Sequence, residues 1–390
     1  MSNNHKLMLF CMLLVFLMFA GLFSVLNPGK VESVINDESG SHGVPDGKWR
    51  IGYCETDPFF SFAGTFYGLL EGLYEMGLIS EIEDIPYKFG QEDSRIVWEW
   101  LVNNDTGPYI EFVEDAYYSF YDEEEGTEEL LLTRLEEEKD LDMMIAMGTY
   151  PGLLLSTDSH DVPVLVFSTS NAVSAGIIES EEDSGREHIW AHMDPGRDRR
   201  MVEVFCDLFD FEKMGMVYED SDIGRLFAAV DEVELLSHER NFKIARRFVD
   251  EPSDPEDRDR YYSELSEAYN ELSREVDAFY LSVSPIEGEK LEELLAPFYE
   301  RNIPVFSQLG GEEVRYGAVA SVARVDFRDI GLFGADIIHR VLQGESPQSL
   351  PQVYMETPRI AVNFEAAERV GYMMPFEVLL VADQVYLNIE

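Results

Sequence analysis

The residues of this chain able to hold a metal, attack a bond or anchor a solute fall in a few short stretches. The densest is Glu187-His188-Ile189-Trp190-Ala191-His192-Met193-Asp194. On a helix, His188 and His192 would share a face and, with a nearby carboxylate, suit Zn²⁺. On a strand they share a face by the period of two, as exposed or hydrogen-bonded histidines of a crossing strand between two halves of the fold. The strand is the reading carried forward, with no metal and no cofactor. Ser168, Thr169, Ser170 and Ser174 crowd several hydroxyls together, but no base stands near them in sequence. They read as hydrogen-bonding groups lining a pocket, not as nucleophiles. The chain contains no Gly-x-Ser-x-Gly elbow, phosphate-binding loop, His-Glu-x-x-His or paired Cys-x-x-Cys. Nothing here points to an enzyme. Most aromatics, Trp98, Trp100, Tyr117, Tyr118 and Tyr121 among them, read as core. Phe59, Phe60 and Phe62 follow the first strand, where flat apolar walls could stack an aromatic or apolar ligand.

The elements that must position these groups follow a repeated grammar. Strands are expected at 49–54, 84–89, 109–113, 142–147 and 162–167, and helices at 62–76, 96–102, 128–138 and 151–157. The pattern then restarts, with helices at 202–208, 224–238, 261–274 and 288–301 and strands at 213–218, 242–248, 278–283 and 305–307. Alternation of this kind predicts an α/β fold of two lobes, each a parallel sheet covered by helices. Ligands of such sheets lie beyond the carboxyl ends of the strands. The informative loops are therefore 55–61, 148–151, 168–172, 219–223, 284–288 and 307–311. Gly64-x3-Gly68-x3-Gly72 spaces glycines along one helix and reads as close helix–sheet packing.

Composition narrows the function further. The 390 residues carry 77 acidic and 29 basic side chains, a formal charge of −48. Nucleic acid and anionic lipid are excluded as partners, because both need a basic footprint. The chain is 45% hydrophobic and 12% aromatic, enough for sizeable cores. An acid excess with only eight lysines predicts a surface adapted to concentrated salt. Twelve carboxylates crowd residues 115–142 without the ligand spacing of a Ca²⁺ loop, and read as a solvated helix start. Residues 7–26 are uncharged and almost wholly apolar after Lys6, which predicts a membrane anchor or an export signal, followed by a polar linker.

Several stretches, in order, resemble the periplasmic substrate-binding proteins of ABC transporters, in the family whose better-known members bind aromatic amino acids. They include Arg50-Ile51-Gly52-Tyr53, Ile145-Ala146-Met147-Gly148-Thr149, Ser170-Asn171-Ala172-Val173-Ser174-Ala175-Gly176 and Val276-Asp277-Ala278-Phe279-Tyr280. Asn302-Ile303-Pro304-Val305-Phe306, Val314-Arg315-Tyr316-Gly317 and the tail Val362-Asn363-Phe364-Glu365-Ala366-Ala367 continue the series. The resemblance implies two Rossmann-like lobes joined by a three-stranded hinge, the type I periplasmic-binding fold, closing over a ligand. It places residues 48–168 with 320–350 in one lobe and 169–319 with 351–390 in the other. Residues 1–29 would be the signal or anchor and 30–47 the linker. Cys54 and Cys206 then fall in different lobes. The implied pocket groups are Thr149, Ser170 and Asn171, with Phe59 as a wall. Members that bind amino acids have acids where this chain has Asn171 and Ser284. These two can still hydrogen-bond, and Asp57 remains as the anchor for a cation. The implied function is an extracytoplasmic protein that passes a small molecule to an ABC permease in the membrane. The alternative is a membrane-anchored module that senses the ligand and signals to a partner protein.

Overall fold

The computed structural model describes residues 47–88, 90–120, 126–252, 257–323, 327–355 and 359–390. The expected anchor or signal at 7–26 and the linker after it lie outside the described residues. So does the run Asp122-Glu123-Glu124-Glu125. Among the described residues, no helix is long and apolar enough to cross a membrane.

The chain forms two α/β units, one of residues 40–195 with 326–356, the other holding 196–325 and 357–390. In the first unit, strands β1 (Trp49–Glu55), β2 (Ile110–Ser119), β3 (Met143–Met147), β4 (Val164–Phe167) and β5 (Ile189–Ala191) make an all-parallel sheet in the order β2-β1-β3-β4-β5. The continuous apolar runs of β3, β4 and β5 are buried along their whole length, as expected of strands covered on both faces. The period of two sorts their side chains. Met143, Ile145 and Met147 join one core, while Met144 and Ala146 join the other with Cys54.

Helix Phe60–Glu75 lies directly after β1 and packs on helix Arg328–Leu342, so the glycine spacing serves a helix–helix contact and not the expected helix–sheet one. A Cβ on Gly68 would meet the Arg328 carbonyl oxygen at 2.5 Å, and one on Gly331 would meet that of Thr65 at 2.4 Å. Only bare backbone fits on either side.

The second unit has a seven-stranded sheet of β6 (Lys213–Tyr218), β7 (Lys243–Phe248), β8 (Ala278–Leu281), β9 (Val305–Ser307), β10 (Ala320–Ala323), β11 (Arg359–Asn363) and β12 (Ala382–Tyr386). Its order is β12-β11-β10-β9-β8-β6-β7, with only the β10–β11 pair antiparallel. Asn363, fully buried, caps the helix Phe364–Arg369 by accepting from the Ala366 N–H, and its amide donates to the Val314 carbonyl at 2.8 Å.

The structure departs from the sequence reading in several further places. No strand forms at 84–88: Pro86 has no N–H for a ladder, Ile85 turns into the core, and Tyr87 stacks on Tyr67 at 4.4 Å. β2 takes the place beside β1 instead, lengthened by a register shift opposite Ile51–Tyr53. The helix expected at 224–238 is broken at Ala229, whose φ of +50° ends Asp222–Phe227 before Val230–Arg240 begins. The helix expected at 128–138 runs as Thr127–Thr133 and continues as a π-turn over Arg134–Glu138. The division between units, expected at 168/169, falls at 195/196. Residues 169–195 stay with the first unit because Ala172, Ile177 and Ile178 enter its core and β5 pairs with β4. For the same reason β10, between β9 and β11, belongs to the second unit, and Tyr354, whose N–H donates to the Met193 carbonyl, belongs to the first.

Candidate functional site

In the first unit, three loops that follow strands lie at the carboxyl edge of the sheet, two of them leading into helices. After β1 the chain runs through Thr56, Asp57 and Phe59 into helix Phe60–Glu75, and the Phe59 carbonyl accepts from the N–H groups of Phe62 and Ala63. After β3, Gly148 turns at φ +100° into helix Thr149–Leu155. A Cβ there would strike Phe62 at 2.9 Å and the Thr56 hydroxyl at 3.0 Å, so glycine is what lets the first two loops touch. After β4, Ser168 takes φ +54°, with its hydroxyl 3.3 Å from that of Thr65.

Thr149 and Ser170 are brought together: the Ser170 N–H donates to Thr149 Oγ1 at 3.3 Å, and Thr149 is buried. Asn171 is half-buried and follows directly, its side-chain oxygen accepting from the Ser174 N–H at 2.9 Å in a local turn. Phe59 packs its ring on Phe60 and Phe62 at 4.7 and 5.5 Å, so part of it serves the local aromatic cluster. Asp57 is exposed, yet surrounding protein desolvates its carboxyl enough to raise it above the usual carboxylate value. All five groups stand on one unit, whereas the domain expectation had put Ser170 and Asn171 on the other.

Ser284 belongs to the second unit, just past β8. It lines a small cavity with Glu219, Gly224, Phe227, Glu251 and Tyr261, at the carboxyl ends of β6, β7 and β8. Two cross-links hold those ends in place. The Ser282 hydroxyl donates to the Val217 carbonyl at 2.6 Å, and the Gln308 amide accepts from the Val283 N–H while donating to the Phe227 carbonyl.

The histidine cluster resolves as a strand, though not as a crossing one. His188 and His192 flank β5, the edge strand of the first sheet. The ring of His188 bonds the Thr157 carbonyl at 3.0 Å and that of His192 the Tyr354 carbonyl at 3.2 Å. Among the described residues no group of three or more histidines, cysteines or carboxylates is placed to hold a metal ion.

Two buried carboxyls escaped the reading of the residues. Glu55 ends β1 and receives the hydroxyls of Tyr53, at 2.7 Å, and Tyr117, with Ser94 3.0 Å from Tyr53. Burial raises its carboxyl while the tyrosine and serine hydrogen bonds pull it back. Tyr53 and Tyr117 stack at 5.3 Å, and the Arg95 guanidinium lies 4.7 Å over Tyr117. In the second unit Glu313 is buried just after β9 and takes the Ser307 hydroxyl; burial pushes its carboxyl up to about 8. The signal for Glu55 was an acid two residues after Tyr53 in an inward-facing strand pattern. Glu313, between Glu312 and Val314, had none.

Comparison with known proteins agrees with this architecture. A tyrosine-binding protein of Clostridioides difficile strain R20291 is 19% identical over 222 residues, 57% of this chain and 61% of that protein, so the match spans less than two thirds of its length. Among solved structures, a conserved domain protein of Vibrio cholerae aligns with a TM-score of 0.63 and 18% identity, over 87% of this chain and 99% of the other. A Streptococcus pneumoniae domain in complex with L-Trp aligns at 0.61 and 18%, over 87% and 99%. A ligand-free, open substrate-binding protein with adhesive properties from Clostridium difficile aligns at 0.61 and 17%, over 87% and 100%. These likenesses establish the type I periplasmic-binding fold. The profile described as ABC transporter substrate binding protein matches residues 113–386, and the chain belongs to that family.

Proposed function

We propose that this protein is an extracytoplasmic solute-binding protein that captures a small molecule and delivers it to an ABC permease. The observation that carries the reading is the convergence, at the carboxyl edge of the first sheet, of Phe59, Thr149, Ser170 and Asn171. These are hydrogen-bonding groups and an apolar wall with no nucleophile–base pair among them, an arrangement suited to holding a solute unchanged. Family membership supports the extracytoplasmic location and the permease as partner. Asp57, Phe59, Thr149, Ser170, Asn171 and Ser284 are the residues proposed to meet the ligand. Ligand binding would favour a closed arrangement by its differential affinity for it, which is how such a protein signals that it is loaded.

The test is native mass spectrometry of protein purified without denaturation, followed by thermal shift against aromatic amino acids, nucleosides and amines. A bound or stabilising solute is expected, with Asn171→Ala and Thr149→Val each weakening it by about fivefold or more. Absence of any stabilising solute, with both variants silent, would sink this reading.

A further inference from the structure

Asn104-Asp105-Thr106 takes no part in the solute loops. Of the chain's asparagines, Asn104 alone has a serine or threonine two residues later with a residue other than proline between. That spacing is the acceptor pattern for a sugar joined to the asparagine amide nitrogen, which requires an exposed amide and a hydroxyl two residues on. The fold puts the pattern where an acceptor belongs. Helix Arg95–Asn103 ends just before it, and Asn104, its C-cap, turns to extended backbone at φ −123° and ψ 155°. Asn104 and Asp105 are both exposed. The loop they open lies at the amino ends of β1 and β2, where the Trp49 N–H donates to the Tyr109 carbonyl and Lys48 pairs with Asp105 at 3.5 Å. The solute loops leave the carboxyl edge of the same parallel sheet. A bulky group on Asn104 therefore stands at the edge away from them.

Resting on the extracytoplasmic reading above, we propose that Asn104 is an N-glycosylation site. The reaction joins Asn104 Nδ2 to the anomeric carbon of a sugar carried on a lipid phosphate or diphosphate. The bond from that carbon to the phosphate oxygen breaks, the lipid phosphate leaves with the electron pair, and one amide proton passes to a base. The Asn104 amide has two N–H groups to draw on. One donates to the Trp100 carbonyl at 2.7 Å, in the last turn of the helix. Replacing the other leaves a donor for that carbonyl, so the modified residue still ties off the helix end. Thr106 fixes the order of events. It is buried, its hydroxyl donates to the Ile110 carbonyl at 3.2 Å, and its carbonyl accepts from the Ser80 N–H. A hydroxyl so engaged is closed to a transferase, so the sugar is added before this loop seats against the sheet. Asn103 is the internal control. It is exposed and donates to the Glu99 carbonyl at 2.7 Å in the same way, but Asp105 stands two residues on.

The experiment is peptide mass spectrometry on the full chain recovered from the extracytoplasmic fraction of the cells that make it. Cleavage after glutamate releases residues 100–111 as one peptide, bounded by Glu99 and Glu111. That peptide is expected to be heavier than its sequence by at least one sugar residue, with fragmentation placing the sugar on Asn104 and none on Asn103. Asn104→Gln and Thr106→Ala, each made in the same cells, should return the bare peptide, and Thr106→Ser should keep the sugar. The mass is read on denatured chain, so the comparison stands even where a variant does not fold. Only bare peptide, in protein recovered outside the cytoplasm, overturns the site and leaves solute binding standing. A sugar on Asn103, or one that persists in Thr106→Ala, overturns it equally. Recovery of the chain from the cytoplasm alone overturns both export and the site.

Discussion

Burial decides the protonation of several side chains in this protein, and Glu313 is the clearest case. Its carboxyl is lifted from 4.5 to about 8 by desolvation, with only Ser307 and the Leu309 backbone opposing. The folded state therefore holds the proton more tightly than the unfolded chain. The resulting stability is complete below about pH 4.5 and is lost as pH rises through about 8. Glu313→Gln should remove that loss. In calorimetric melts between about pH 5 and pH 9 the variant should gain on the parent as pH rises, by at most a few kcal/mol. A constant difference would place the proton elsewhere. His160 and His188 act in the opposite sense. Their rings meet edge to face at 5.0 Å, and burial lowers both below the usual imidazole value. The unfolded chain takes protons first as pH falls below about 6.5, so these residues cost stability in acid. His160→Gln should lose less melting temperature than the parent between about pH 7 and pH 5.

At the scale of elements, the helix pair Phe60–Glu75 and Arg328–Leu342 sets what the glycine spacing is for. Gly68→Ala would press a methyl group into the Arg328 backbone, which cannot rotate away. Gly64→Ala would meet Phe327 and Tyr87 at an ordinary 3.4 Å. Urea unfolding should show a loss of about 1–3 kcal/mol for Gly68→Ala and clearly less for Gly64→Ala. Equal losses would mean that helix propensity, not close approach, governs this face. Much of this scale was legible from residues alone: the buried strands β3, β4 and β6, the helices around them and the loops that follow. What local pattern misjudged had a nonlocal cause. Residues 84–88 have strand-like alternation, but β2 occupies the sheet position they would need. The glycines at 64, 68 and 72 announced a close neighbour without saying that it would be a helix more than 250 residues further on. The polar groups Thr149 and Ser170 could be singled out from their place after strands, yet their mutual hydrogen bond depends on β3 and β4 pairing side by side.

For the whole molecule, the formal charge of −48 is the dominant quantity. Ion pairs such as Arg134 with Asp115 and Asp140, or Arg247 with Glu271 and Glu275, use the scarce cations locally and leave most acids unmatched. Self-repulsion among them weakens the compact state and is screened by salt. Melting temperature should therefore rise between about 0.1 M and 2 M NaCl, steeply at first as the Debye length shortens from about 10 Å. A flat or falling curve would argue against a surface adapted to salt.

Sequence by itself determined the class of this protein: α/β alternation, two units, an acid-dominated surface and an ordered series of short motifs that places it in its family. Such features are written in neighbouring residues, because strand burial, helix periodicity and charge are local properties. Only the tertiary structure decided where the units divide, which helix the glycines meet, and that Glu219 and Glu251 stand beside Ser284. Those depend on which strand ends the sheet order sets side by side, and residues far apart in the chain carry no mark of that in their own neighbourhoods.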